Sequence, residues 1–395
     1  MRTLAARHVF VGTGWLSPGL LAWDEDGVLI GVARAPRGTR LTDVAVLPGL
    51  VNAHAHLQLK AVGDAPPNFV QWIGKVMAAR GRTSLPELAT TVRAHLAALL
   101  RGGCTAVGEI DNAGTSPRVL ARANFAGRCY QEVTGFHLGR DDARSLLRTR
   151  EQVGSDACPG GIAPHAPYSV SAPLFAACRS RRVPMAVHVA ELPEEQQFLH
   201  TGKGSLRDLL AKLDRLPRDF TAPGLGAVRY LERLGCLLPR TLLVHCQELE
   251  RGDAARISAA GAPIVVCPGT IRYFGRVPPP VEDWLRRGIP VALGTDSRAS
   301  NRALSMQDEL AEATRLWPTL DPMRLLAMAT ENGARALSHR SIGRIRRGAR
   351  ADFFAIPCTE NPVAAVASFV HGALSPVAVW LAGGKHAGRL LAQQG

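Results

Sequence analysis

From about residue 46 onward, apolar runs of strand length recur along the chain, with helical stretches rich in Ala, Leu and Arg between them. Eight such runs stand at 46–53, 104–110, 128–135, 160–165, 184–190, 241–246, 263–267 and 290–295, and helical periodicity fills 84–100, 174–181, 248–260 and 281–287. Strands that alternate with helices pair in parallel, because each crossover returns the chain to the same end of the sheet. Eight such repeats predict an α/β fold in which the sheet closes into a (β/α)8 TIM barrel. Two segments interrupt the repeat. Residues 192–235, with Pro217, Gly224 and Gly226, predict a helix, a loop and a second helix. Residues 268–280, with Gly269, Gly275 and the run Pro278, Pro279, Pro280, predict an irregular loop after the seventh strand.

The two ends of the chain read differently. Short alternating segments at 8–12 and 28–33, and again at 352–356 and 377–381, are broken by Gly and Pro. They predict a small β-sandwich built from 1–47 plus 342–395, beside a barrel spanning 48–341. A barrel takes about 250 residues, so a chain of 395 has room for one such module.

Charge raises a competing expectation. The net charge is +14, from 47 Lys+Arg against 33 Asp+Glu, and only five of the basic residues are lysines. The arginines are scattered, whereas a nucleic-acid footprint needs basic residues gathered on one face. No nucleic-acid partner is therefore expected. The eight cysteines form no C-x-x-C pair and several sit in apolar runs, as reduced core residues do. No apolar run approaches the roughly 20 residues of a membrane span, and the N-terminus shows no secretory signal pattern. A soluble, cytoplasmic protein with no membrane partner is expected, with a homodimer left open.

Chemistry concentrates at the ends of the strand runs. His54 and His56 are two residues apart, so in a strand both point the same way and can grip one ion. The fourth run ends at His165, the fifth at His188 with Glu191 just beyond, the sixth at His245 and the eighth at Asp296. Enzymatic sites of such barrels lie at the C-terminal ends of the strands. A single histidine there would mean little; seven acid–base or metal-binding residues on one rim predict a metal-dependent active site.

These residues also carry a resemblance. The stretch Leu47-Pro48-Gly49-Leu50-Val51-Asn52-Ala53-His54-Ala55-His56 resembles the opening motif of the amidohydrolase superfamily. His188 with Glu191, Leu243-Val244-His245-Cys246 and Leu293-Gly294-Thr295-Asp296 are similar to its nucleobase-deaminase and chlorohydrolase branch. The closing stretch from Ile342 to Asp352 resembles the return into that family's sandwich. The resemblance implies one divalent metal on His54, His56, His188 and Asp296, zinc first and iron(II) as the alternative. With His165 and no lysine on the fourth strand, a second bridged metal has no evident ligand. It further implies that metal-activated hydroxide attacks C6 of an adenine nucleoside. Asp296 takes a proton, Glu191 protonates the ring nitrogen and then the leaving ammonia, and His245 orients the attacking oxygen. His165 would lie against the nucleoside.

Where relatives commonly carry Ser and Asn, Thr270 and Ile271 stand here. Arg272, Arg276, Arg298 and Arg302 cluster beside the last two strands, and Arg298 is expected to pair with a substrate carboxylate. That suits 6-aminodeoxyfutalosine, a nucleoside of menaquinone biosynthesis that carries a benzoate. The alternatives are deamination of adenosylhomocysteine, methylthioadenosine or guanine, and a chlorohydrolase of an amino-heterocycle. A basic nucleic-acid-binding protein on a barrel scaffold would account for the charge and leave the metal set without a purpose.

Overall fold

The computed structural model describes residues 1–65, 68–148 and 154–386, so the last part of the expected sandwich segment, 387–395, lies outside the described residues. Parallel strands Leu50–His56, Cys104–Asp111, Ala126–Val133, Gly160–Pro164, Met185–Val189, Thr241–His245, Ile264–Val266 and Val291–Leu293 pair in sequence order. The last of these breaks at Gly294 and Thr295 and resumes as Asp296–Ser297, which pairs with the first strand at Ala55 and His56. The sheet thus closes on itself. A Cβ on Gly294 would come within 2.8 Å of the His54 carbonyl oxygen. Asn52 clips the seam: its side chain donates to Thr295 Oγ1 at 2.7 Å and accepts from Thr295 N at 3.1 Å.

Small side chains fill the barrel interior, among them Ala53, Ala106, Ala126, Ala163, Ala186, Val265 and Ala292. Helices cover the outside. Leu85–Arg101 starts at Ser84, whose backbone N donates to the Glu87 carboxylate at 2.8 Å, and buries Leu88, Val92, Leu96, Leu99 and Leu100 along one stripe.

The chain ends meet in a second sheet, ordered Gly384–His386, Ala378–Leu381, Phe353–Pro357, Thr42–Pro48, Arg2–Phe10, Gly19–Trp23, Leu29–Arg34. It is one continuous sheet that folds over, so Leu29 N reaches the Ala349 carbonyl at 2.8 Å, and Trp23 meets Phe353 edge-on while Phe353 stacks on Trp380. All eight cysteines are free and buried. Among the described residues, no helix is long and apolar enough to cross a membrane.

Four local expectations are corrected. The run 46–53 is two strands, Thr42–Pro48 in the terminal sheet and Leu50–His56 in the barrel, joined at Gly49. Residues 192–235 hold three helices, Pro193–Thr201, Ser205–Lys212 and Ala227–Arg233. Residues 268–280 open with a helix, Pro268–Tyr273, because Pro268 at the first helical position needs no N–H partner and Glu309 accepts from Gly269 N at 2.8 Å. The helix expected at 248–260 is shorter, Asp253–Ala260, since Gly252 at φ 93° is left-handed.

Gly49 is where two sheets meet the second barrel strand. A Cβ there would fall on Thr105, 2.7 Å from Cγ2 and 2.9 Å from its Cβ, and closer still to Oγ1. Gly49→Ala is expected to cost about 1–3 kcal/mol through overpacking. A thermal or denaturant midpoint equal to that of the parent chain would show instead that the junction has slack.

Candidate active site

Alternation aims most of the site. Ala163, Ala186 and Tyr130 pack in the barrel interior, and His165, His188 and Glu132, two residues further on each strand, face the same axis above them. Three strands carry a distortion instead. The register between the first and second strands shifts between Asn52 and Ala55, as a bulge does; His54 falls within the shift, His56 beyond it, and both join the cluster. His245 has φ 76° and Asp296 φ 54°, left-handed geometries that L-residues rarely adopt and that recur at functional sites.

His54, His56 and His188 form a group whose ligand atoms all lie within 4.8 Å of one another. The Nε2 atoms of His56 and His188 are 3.3 Å apart. Nitrogens held tetrahedrally at about 2.05 Å from zinc stand roughly 3.3 Å from each other, so this pair already has the spacing of two ligands. Asp296 Oδ1 is 3.7 Å from Nε2 of both His54 and His56. Its other oxygen accepts from Ser300 Oγ at 2.7 Å and Thr270 Oγ1 at 3.2 Å, which leaves Oδ1 facing the imidazoles. His188 Nδ1 lies 3.0 Å from the His165 carbonyl, so it carries the proton and Nε2 presents a lone pair. His54 is fully buried with neither ring nitrogen hydrogen-bonded. Two orphaned buried nitrogens are costly, and an ion beside them would relieve one. Burial drives the His54 imidazole well below its usual range and so keeps it neutral, the form that ligates. The donor set fits a divalent metal.

Beyond the trio, His245 Nε2 is 3.8 Å from Glu191 Oε2, and its ring centroid is 5.5 Å from that of His188. Glu191 Oε1 accepts from Arg276 Nη1 at 3.1 Å. Burial opposes ionisation of Glu191, but His245 and Arg276 outweigh it and hold the carboxyl below its usual range. The His165 ring lies tilted 4.9 Å from that of His188 and holds Ser169 Oγ at 2.7 Å through Nδ1; burial lowers its pKa to about 4.

The trough above these residues has a volume of about 260 Å³ and reaches out between two helices. From Phe69–Gly81 it takes Phe69, Trp72, Ile73, Val76, Met77 and Arg80, a single stripe at helical spacing. Leu206, Leu209 and Leu210 face it from Ser205–Lys212. Trp72 Nε1 donates to the Ala299 carbonyl at 2.8 Å, tying the first cover helix to the loop that carries Asp296.

Arg298 is not brought to this trough. The strand ends at Ser297, Ser300 N turns back to the Ser297 carbonyl, and the Arg298 guanidinium donates to the Asn301 carbonyl at 2.6 Å. It lines a separate depression with His95, Arg101 and Arg302. The two-residue spacing from Asp296 counts only while the chain stays extended. Arg80 and Arg215 line the trough instead.

Glu195 is a further residue that sequence reasoning missed. Fully buried, it accepts from Glu191 N at 3.0 Å, and burial raises its carboxyl to about 8. Its place in the first turn after Pro193, where a glutamate reaches back to cap the preceding backbone, was a legible signal.

Comparison with known proteins agrees with this geometry. A model of the amidohydrolase family matches residues 45–384. An aminodeoxyfutalosine deaminase of Deinococcus radiodurans is 32% identical over 322 residues, 75% of this chain and 74% of that one. A 5-methylthioadenosine/S-adenosylhomocysteine deaminase of Nitratidesulfovibrio vulgaris is 29% identical over 337 residues, 79% of this chain and 71% of that one. Among solved structures, an adenosine deaminase of Xanthomonas campestris with bound zinc superposes at a TM-score of 0.79 and 24% identity, over 97% of this chain and 92% of that one. The chain belongs to the amidohydrolase family, as a hydrolytic deaminase.

Proposed function

We propose that the chain hydrolyses the C6 amino group of an adenine nucleoside, and that this nucleoside is 6-aminodeoxyfutalosine. The observation that carries the chemistry is the convergence of His54, His56, His188, Asp296, His245 and Glu191 on one point of the rim. His54, His56, His188 and Asp296 would hold one divalent ion; three imidazoles and a carboxylate suit zinc, and iron(II) accepts the same donors. When bound, that ion supplies Lewis acidity and makes water acidic enough to attack near neutral pH.

The protein's residues do the rest. Asp296, anchored by Ser300 and Thr270, takes a proton from the attacking water. Glu191, ionised at rest, hands to the ring nitrogen beside C6 the proton that Asp296 draws from the water, which makes that carbon electrophilic, and later passes the second proton of that water to the departing amine. His245, beside Glu191, holds the incoming oxygen in line. Water and the C6 amine are consumed, and a ring carbonyl and ammonia are formed. His165 and Glu132 lie where the sugar would rest, both lining the trough.

The substrate assignment rests on the outer trough. An apolar slot between two helices accepts an aromatic arm. At its margin, among the described residues, Arg80 and Arg215 make only long contacts with neutral partners, the Asn112 carbonyl at 3.4 Å and the Thr134 hydroxyl at 3.5 Å. Guanidinium groups so placed are ready for a carboxylate. Ammonia release and the purine absorbance change, followed with metal-loaded protein, test this. We expect kcat/KM for 6-aminodeoxyfutalosine to exceed that for methylthioadenosine, adenosine and guanine by about 10-fold or more. Replacing Arg80 and Arg215 together by alanine should raise its KM about 10- to 100-fold with kcat little changed. Preference for adenosylhomocysteine would keep the chemistry and change the arm; preference for methylthioadenosine would remove the carboxylate from the reading.

A further inference from the structure

Arg276 does not line the trough, yet its guanidinium hydrogen-bonds the carboxylate of the proposed proton carrier. Its backbone is set by the way the short helix after the seventh strand ends. Gly275 is left-handed at φ 62°, Gly275 N donates to the Arg272 carbonyl at 3.1 Å and Arg276 N to the Ile271 carbonyl at 2.9 Å. That paired closure is a Schellman motif, in which glycine takes the conformation other residues avoid. The side chain is fixed as firmly. Its guanidinium carbon lies 4.4 Å above the Phe274 ring and 5.9 Å from that of Phe69, and Nη1 is 3.1 Å from Glu191 Oε1. Both partners of this ion pair are largely buried, 14% and 7% exposed. A glutamate has three side-chain torsions to fix, and here one oxygen is held while Oε2 stands 3.8 Å from His245 Nε2, too far for a hydrogen bond and open to the reacting atoms.

We infer that Arg276 is a positioning residue of the deamination, which holds one oxygen of Glu191 so that the other meets the substrate's ring nitrogen and leaving amine. This rests on the reading of Glu191 as the proton carrier. Because the contact lies behind Glu191, the loss of Arg276 falls on turnover and not on binding. Arg276→Met keeps most of the stem and removes the charge; it should lower kcat about 10- to 100-fold while KM stays within about threefold. Arg276→Lys, with its donors on a single nitrogen and no planar stacking, should recover part of that loss.

The decisive measurement is the double-mutant cycle with Glu191→Gln. If Arg276 acts through Glu191, adding Arg276→Met to Glu191→Gln costs less than about twofold more. Multiplication of the two losses, or an Arg276→Met enzyme with the parent kcat, overturns the inference. Metal content and melting temperature, measured on every variant, separate these outcomes from misfolding, and the lysine variant covers the case in which methionine does not fold. A fully active Glu191→Gln enzyme would strike the reading of Glu191 itself, whereas a crippled Glu191→Gln beside an unaffected Arg276→Met would strike this inference alone.

Discussion

His188→Ala will yield a folded protein that holds little metal and has lost at least roughly a thousandfold in kcat/KM, the scale on which an activated water matters. His188 is the ligand whose removal does most damage for least structural cost. It comes from the fifth strand, across the barrel from the pair on the first, so without it His54 and His56 grip from one side only. Its Nδ1 is already tied to the His165 carbonyl, so the loss also frees that carbonyl and the contact of the two rings. Asp296 and His54 stay at the seam where the first and eighth strands close, and the Asn52–Thr295 clip keeps that seam shut without the ion. Circular dichroism close to that of the parent, with metal well below one equivalent, is the expected pair of readings. Chelation of the parent should give the same loss and a lower melting temperature, since metal binding to the native state alone stabilises it. A metal-free His188→Ala enzyme with parent turnover would end the metal-dependent reading.

The rim of the barrel was legible because strand alternation is a rule with few exceptions, and His165 and His188 obey it. His54, His56, His245 and Asp296 were found by residue type and place, although a bulge and left-handed backbones orient them, features that no periodicity announces. Arg298 marks the limit of the same rule, since the spacing from Asp296 lost its meaning where the chain turned at Ser297. The break at Gly49 was hidden because both strands flanking it are apolar, and one continuous run reads the same as two. Arg276 was seen as one of a cluster, and its partner lay 85 residues away. The cover helix had a clear signal, with Phe69, Trp72, Ile73, Val76 and Met77 on one stripe; its destination depended on a long-range contact, Trp72 to Ala299.

Glu191→Gln should keep its metal and its affinity and lose about 10²- to 10⁴-fold in kcat, the usual worth of a positioned proton donor. Glutamine is nearly the same shape and can still face Arg276, so binding is spared, but its amide cannot carry a proton from the water side to the ring nitrogen. Amine is a poor leaving group until protonated, whereas chloride leaves as the anion. A 6-chloropurine nucleoside with the same arm separates the two uses of this carboxyl. With that substrate only the activation of the ring nitrogen is lost, and the fall should be smaller by about 10-fold or more than with the amine. Equal losses on both would assign Glu191 entirely to the attack step, and no loss on either would leave proton delivery to another group that faces the trough, such as His245, 3.8 Å from the Glu191 carboxylate.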